Sequence, residues 1–174
     1  MELWDVYDIN RSRTGRLHPR PEPMPEGDYH TVIHVCLFNH AGQMLIQQRQ
    51  TFKEGWPNLW DVTVGGSALA GETSRQAAAR ELEEEVGIRL SFENSRPRMT
   101  INFSCGFDDW YVAEAEAEPA SLQLQYEEVQ AARWATEQEI MEMLNDGRFI
   151  PYKPELIRLI FAMRHSSGGL ERTE

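Results

Sequence analysis

The chain has 174 residues, enough for one compact domain with a hydrophobic core and short for two domains of ordinary size. Asp and Glu outnumber Lys and Arg 28 to 17, a formal net charge of −11, while 41% of residues are apolar and 10% aromatic. That composition excludes disordered, collagen-like and disulfide-scaffold proteins and supplies no basic stripe for duplex DNA or RNA.

Residues 2 to 20 hold two short strand-like runs, Leu3 to Tyr7 and Arg16 to His18, separated by the turn formers Asn10, Ser12 and Thr14-Gly15. They predict a small N-terminal β-hairpin. From Pro19 to Gly27 four prolines forbid helix and predict an extended connector. The run His30 to Phe38, the turn Asn39 to Gly42 and the run Met44 to Gln48 predict a hairpin of core strands. After a polar loop, Trp60 to Val64 reads as a strand that delivers the chain to a glycine-rich loop at Gly65-Gly66.

Thr73 to Val86 is the clearest helix. Thr73 or Ser74 serves as cap, Ala77 to Ala79 are good helix formers, Gly87 is the stop, and Ala78, Leu82 and Val86 mark the buried stripe. Strands follow near Met99 to Phe103, Trp110 to Glu118 and Val129 to Trp134, with acids on one face of the stretch Glu114 to Glu118 and alanines on the other. Helices are predicted from Thr136 to Leu144 and from Pro154 to Met163, with Pro154 in the first turn. The organisation expected is an α/β chain: hairpin and connector over 1–27, the main domain over 28–165, and a frayed tail over 166–174.

The N-terminus, Met1-Glu2-Leu3-Trp4-Asp5, lacks the basic and apolar regions of an export signal. The uncharged stretch Thr31 to Gln48 is broken by His34, Asn39, His40, Gly42, Gln43 and Gln47 and does not read as a membrane span. Cys36 and Cys105 read as buried free thiols. A soluble, cytoplasmic protein with no membrane partner is expected.

At about 100° per residue, Glu81, Glu84 and Glu85 fall within about 100° of one another, beside the apolar stripe rather than opposite it. Like charges so spaced weaken a helix by a few tenths of a kcal/mol per pair, roughly, and a divalent cation would offset them. Carboxylate oxygens suit Mg²⁺ or Mn²⁺, which complete their coordination with substrate phosphates. Taken alone, an acidic run is more often a solvated helical face.

The wider spacing decides between these. Gly66, five residues, Glu72, seven residues, then Arg80-Glu81-Leu82, one residue, Glu84-Glu85, one residue, Gly87-Ile88 resembles at every position the signature of the Nudix hydrolases. Such a match arises by chance in on the order of one in ten million chains of ordinary composition. The resemblance implies an α/β/α sandwich on a mixed β-sheet, extended here by the N-terminal hairpin, and hydrolysis of a nucleoside diphosphate linked to another moiety. By this resemblance the metal ligands are Glu81, Glu84 and Glu85 with the carbonyl of Gly65 or Gly66. Arg80 orients a glutamate, Glu72 holds the loop to the helix, and Gly87 ends it.

By the same resemblance a further acid from outside the signature is expected, as base or additional ligand. Glu127, Glu128, Asp108 and Asp109 are the candidates, and Glu128 is favoured, so that Glu84, Glu85 and Glu128 form the catalytic set. Arg49 and Arg20, the latter from a basic patch that includes Arg11, Arg13, Arg16 and His18, are candidates for phosphate contact. Trp56, among Trp60, Phe107, Trp110 and Tyr126, is the candidate to stack a base. Expected partners are a small phosphorylated substrate and a second copy of the chain as a homodimer.

Trp4 to Asp8 and Trp60-Asp61-Val62-Thr63 also resemble the Nudix subgroup related to isopentenyl diphosphate isomerase. That enzyme's cysteine and histidine after the strand are missing here, and His30 and His34, roughly 13 Å apart along a strand, are too distant for one metal. An isomerase-like enzyme and a non-catalytic nucleotide-binding module are therefore the alternatives to a Mg²⁺-dependent hydrolase.

Overall fold

A computed structural model describes residues 1–166 and 168–170; most of the expected tail lies outside the described residues. In chain order the elements are β1 (Leu3–Tyr7), β2 (Arg13–Pro19), β3 (His30–Phe38), β4 (Met44–Arg49), β5 (Trp60–Asp61), β6 (Val64–Ser67), α1 (Ser74–Val86), β7 (Met99–Phe103), β8 (Gly106–Glu114), β9 (Val129–Ala135), α2 (Glu137–Asn145) and α3 (Pro154–Ala162).

β3 organises the fold. It runs parallel to β8 from His30↔Gly106 to Phe38↔Glu114 and antiparallel to β6 from Val32↔Ser67 to Val35↔Val64. β7 continues the sheet beyond β8. β4 does the same for a second set of strands, with β5 on one side and β9 on the other. The result is a mixed sheet enclosed by helices, the α/β/α sandwich that the resemblance implies.

The sequence periodicity of β3 explains how one strand serves two cores. Ile33 and Val35 point toward α1, where Val64, Ala77, Ala78, Leu82 and Val86 meet them, while Cys36 and Phe38 point to the opposite face with Ile46, Ile140, Ile157 and Ile160. With both faces covered, the strand reads as a continuous apolar run. α1 closes with a capping box between Thr73 and Gln76 and ends at Gly87, whose φ of 75° is the left-handed geometry that glycine adopts without strain.

Several sequence expectations are corrected. β3 and β4 do not form an extended hairpin: they pair only at Phe38↔Met44 and then diverge into the two strand sets. Trp60 to Val64 is not one strand, because Thr63 turns between them: its hydroxyl donates to the Leu45 carbonyl (2.5 Å) and accepts from the Leu37 amide (2.9 Å). Gly65 and Gly66 belong to β6 rather than to a loop. The strand expected at 110–118 runs instead from Gly106 to Glu114; beyond it Glu116 accepts from the His40 amide at 2.7 Å. In the N-terminal hairpin the turn falls at Asp8 to Ser12, where the Asp8 carboxylate collects the Asn10 and Ser12 amides at 2.9 Å, and Thr14-Gly15 is inside β2.

The N-terminal hairpin is fastened to the loop before α1. The Ala70 amide donates to Leu3 O (2.7 Å) and the Gly71 amide to Asp5 Oδ2 (2.8 Å). Trp4 lies flat on His30, with ring centroids 4.2 Å apart. These contacts bring Glu2 and Arg20 to the mouth of the cleft described next.

Candidate active site

The carboxylates of α1 open into a polar cleft of about 180 Å³. Gly65, Gly66, Glu81, Glu84, Glu85 and Glu128 line it together with the cations Arg20, Arg49, Lys53 and Arg80. Glu81 and Glu85 are separated by four residues on one side of α1, and that side faces β6, so helical spacing turns the sequence cluster into a spatial one.

The two glycines have specific steric reasons. A Cβ on Gly66 would stand 2.1 Å from Oε1 of Glu81, and one on Gly65 would stand 2.8 Å from the His34 ring. The glycines thus leave room for those side chains, which is more specific than the close backbone approach to a phosphate that glycine content alone suggests.

Arg80 is the hub of the loop-to-helix junction. Its Nε and one terminal nitrogen bind Glu72 at 2.8 and 3.0 Å, and the other terminal nitrogen reaches Glu81 (2.9 Å) and Glu84 (3.1 Å). Glu72 also accepts from the Leu69 amide at 2.9 Å. Burial alone would raise the Glu72 carboxyl, but the Arg80 and Leu69 hydrogen bonds outweigh it and hold it below its ordinary value.

Glu81 and Glu85 go the other way. Burial is the main cause that pushes Glu81 up to about 7; Arg80 opposes this, while Glu84 and Glu128 add to it. Glu85, almost wholly buried, is raised well above the ordinary carboxylate range by burial first, then by Glu81, Glu128 and Asp61. Its direct partner is neutral, the Gln47 amide at 2.8 Å, and the Gln47 carbonyl oxygen beside it is buried with no hydrogen-bond partner.

These features fit a hard divalent cation. A buried carboxylate bonded to no cation, an orphaned amide oxygen next to it and an oxygen-only donor set all favour positive charge at this point. Among the described residues no three acidic, histidine or cysteine side chains are oriented onto one common point. Glu81 and Glu84 are turned to Arg80, which supplies their counter-charge.

Other expected site residues divide cleanly. Arg49 and Arg20 reach the cleft, where Arg49 binds Gly55 O (3.0 Å) and lies 3.7 Å from Asp61, and Arg20 pairs with Glu2 at 2.9 Å. Glu128 reaches it too and is paired with Lys53. Trp56 does not: it sits in a turn at φ 52°, 53% exposed, outside the cleft lining. Asp108 and Asp109 are committed elsewhere, Asp108 to His34 and Trp110, Asp109 to Arg11 and Thr100. His30 and His34 have separate surroundings, against Trp4 and Trp110 respectively. Neither cysteine lines the cleft; Cys36 is in the core, where burial pushes its thiol up.

Lys53, Gln47 and Gln125 escaped the sequence reading. Gln47 carries a usable signal, a polar residue inside the apolar run of β4. Lys53 and Gln125 carry none, since their positions depend on the Gln50 amide bonding Glu128 O (2.9 Å) between distant loops. Those loops also present Phe52 and Tyr126, 56% and 72% exposed, with ring centroids 5.8 Å apart, next in sequence to Lys53 and Gln125.

Comparison with known proteins places the chain. The NUDIX domain family matches residues 28–158, and the chain belongs to the Nudix hydrolases. It is 48% identical to an uncharacterized Nudix hydrolase of Listeria monocytogenes over 152 residues, 87% of this chain and 90% of that one. It is 33% identical to Nudix hydrolase 3 of Arabidopsis thaliana over 87% of this chain but 22% of that longer protein. The match to an isopentenyl-diphosphate Delta-isomerase of Streptomyces avermitilis, 34% identical, covers 51% of this chain and 45% of that protein. Among solved structures, a Deinococcus radiodurans protein superposes with a TM-score of 0.75 at 24% identity over 91% of this chain and 99% of that one, and has the same fold. Enzymes of the family generally use divalent metals.

Proposed function

We propose that the protein is a Mg²⁺-dependent hydrolase, with Mn²⁺ as a substitute, that cleaves the diphosphate bond of a nucleoside diphosphate linked to another moiety. The observation that carries this reading is the cleft itself: Glu81, Glu84, Glu85 and Glu128 line a space of about 180 Å³ together with Arg20, Arg49 and Lys53. The carboxylates suit a metal and the cations suit phosphate oxygens.

Glu81, Glu84, Glu85 and the Gly65 carbonyl would hold the cation, which when bound supplies charge neutralisation of the diphosphate and activation of water. Arg49, Arg20 and Lys53 bind the phosphates: Arg20 exchanges Glu2, and Lys53 exchanges Glu128, for a phosphate oxygen, while Arg49 keeps Asp61 beside it. Glu128 takes the proton from the attacking water as the new P–O bond forms and the bridging P–O bond breaks. Phe52 and Tyr126, next in sequence to the cleft residues Lys53 and Gln125, form an exposed aromatic pair that a base can stack on.

The absence of a thiol in the cleft weighs against the isomerase reading, and the intact glutamate set weighs against a purely binding module. Pure protein with Mg²⁺ should release phosphate or a nucleoside monophosphate from at least one of a panel of nucleotide sugars, ADP-ribose, dinucleoside polyphosphates and nucleoside triphosphates. Replacing Phe52 and Tyr126 by Ala should raise KM for that substrate. Isomerisation of isopentenyl diphosphate, or binding without turnover, would overturn the reading.

A further inference from the structure

A chain of half-buried polar side chains, ending at the buried Asp61, runs from the middle of the sheet to the cleft. Asp108 on β8 accepts from the Trp110 indole (2.8 Å) and bonds Nδ1 of His34 at 2.8 Å. Nε2 of His34 lies 3.2 Å from the Tyr152 hydroxyl, which donates to Oδ1 of Asp61 at 2.8 Å. Asp61 also accepts from the Val62 amide (2.8 Å), and its other oxygen is 3.7 Å from Arg49. The His34 ring lies flat on Trp110, centroids 4.2 Å apart, and directly under Gly65.

Phe or Leu at these places would pack against the same apolar neighbours with no desolvation cost. What the polar chain adds is fixed geometry from Asp108 to Asp61, whose free oxygen faces Arg49 as an ion pair at 3.7 Å. Its outer end touches two parts of the cleft: the Gly65 backbone above His34 and the guanidinium of Arg49 beside Asp61.

We propose that Tyr152, with His34 and Asp61, is a positioning residue of the phosphate-binding side of the cleft, acting through Asp61 on Arg49. The inference rests on the assignment of Arg49 to substrate phosphate made above. Tyr152 belongs to the segment before α3, more than a hundred residues from Arg49 in sequence, and is not part of the cleft lining.

Tyr152→Phe removes one oxygen and keeps the ring in place, so the fold should persist. Asp61→Asn, which keeps the shape and removes the charge facing Arg49, serves as the second variant. The readout is binding of a methylene-bridged nucleoside diphosphate analogue by calorimetry, in Mg²⁺, for wild type, each variant, Arg49→Ala and the double variant Arg49→Ala with Tyr152→Phe. Both Tyr152→Phe and Asp61→Asn should weaken binding about ten-fold. The double variant should bind no more weakly than Arg49→Ala, because both changes act on one contact.

Wild-type affinity in Tyr152→Phe, or a loss in the double variant equal to the product of the single losses, would overturn the proposal. Turnover of the natural substrate is measured in parallel. Wild-type binding without turnover contradicts the hydrolase reading and leaves the coupling between Tyr152 and Arg49 standing. Wild type that binds no analogue sinks both.

Discussion

Glu81 shows how far a single position can be argued from its surroundings. Its carboxyl is raised to about 7 mainly by burial, against an ordinary value near 4.5. The folded protein therefore keeps a proton that the unfolded chain has released over that window, so raising pH from about 4.5 to 7 favours unfolding, and beyond 7 the penalty is constant. In EDTA, wild type should lose stability relative to Glu81→Gln between pH 5 and pH 8, read as urea midpoints. Midpoints that shift in parallel would refute this. Adding Mg²⁺ should reverse the order at pH 8, because ionised ligands bind metal and a Gln does not. Glu81, Glu84 and Glu85 were legible because helix geometry puts them on one face and the spacing from Gly66 to Ile88 matches the Nudix signature. Lys53 was not, because the loop that carries it is placed by a backbone bond to Glu128.

Among the elements, α1 holds the site and its ends hold α1. Its capping box joins Thr73 to the Gln76 amide and Gln76 back to Thr73. Thr73→Ala should cost about 1 kcal/mol in chemical denaturation, and an effect near zero would mean that packing alone sets the helix start. The N-terminal hairpin carries an acid-sensitive contact: burial, then the charges of His18 and Arg20, lower His30 to about 4. Between about 6.5 and 4 the unfolded chain takes up a proton that the folded protein refuses, so stability should fall as pH falls through that range. His30→Phe, which keeps a flat ring against Trp4, should remove this part of the slope in urea titrations at pH 7 and 4.5. An unchanged slope would show that His30 is not its source.

The helices and β7 were legible at this scale to within a residue or two, since caps, Gly87 and Pro154 act locally. The division of strands between two sets was not. Thr63 breaks the strand by bonding to Leu45 on one neighbour and Leu37 on the other, and nothing in Trp60-Asp61-Val62-Thr63-Val64 reveals those partners. The pairing of β3 with β8, far apart in sequence, was likewise invisible, although the unbroken apolar run of β3 already signalled two covered faces.

For the whole molecule, the net charge of −11 resolves into parts with different roles. Glu81, Glu84, Glu85 and Glu128 converge on one cleft, while Glu116 is at the surface with His40. An acidic protein can take a polyphosphate if a cation supplies positive charge where the carboxylates gather, helped by Arg20, Arg49 and Lys53. Among the described residues no helix is long and apolar enough to cross a membrane.

The central claim is that the glutamates of α1 work by holding a divalent cation during diphosphate hydrolysis. It is tested most directly by steady-state turnover of the best substrate while Mg²⁺ is titrated against EDTA, for wild type and Glu85→Gln. Wild-type rates should rise from background to saturation with Mg²⁺. Glu85→Gln should fall by about two to four orders of magnitude at saturating Mg²⁺ with its fold intact by circular dichroism. Full turnover in EDTA, or a Glu85→Gln enzyme as active as wild type, would contradict the account.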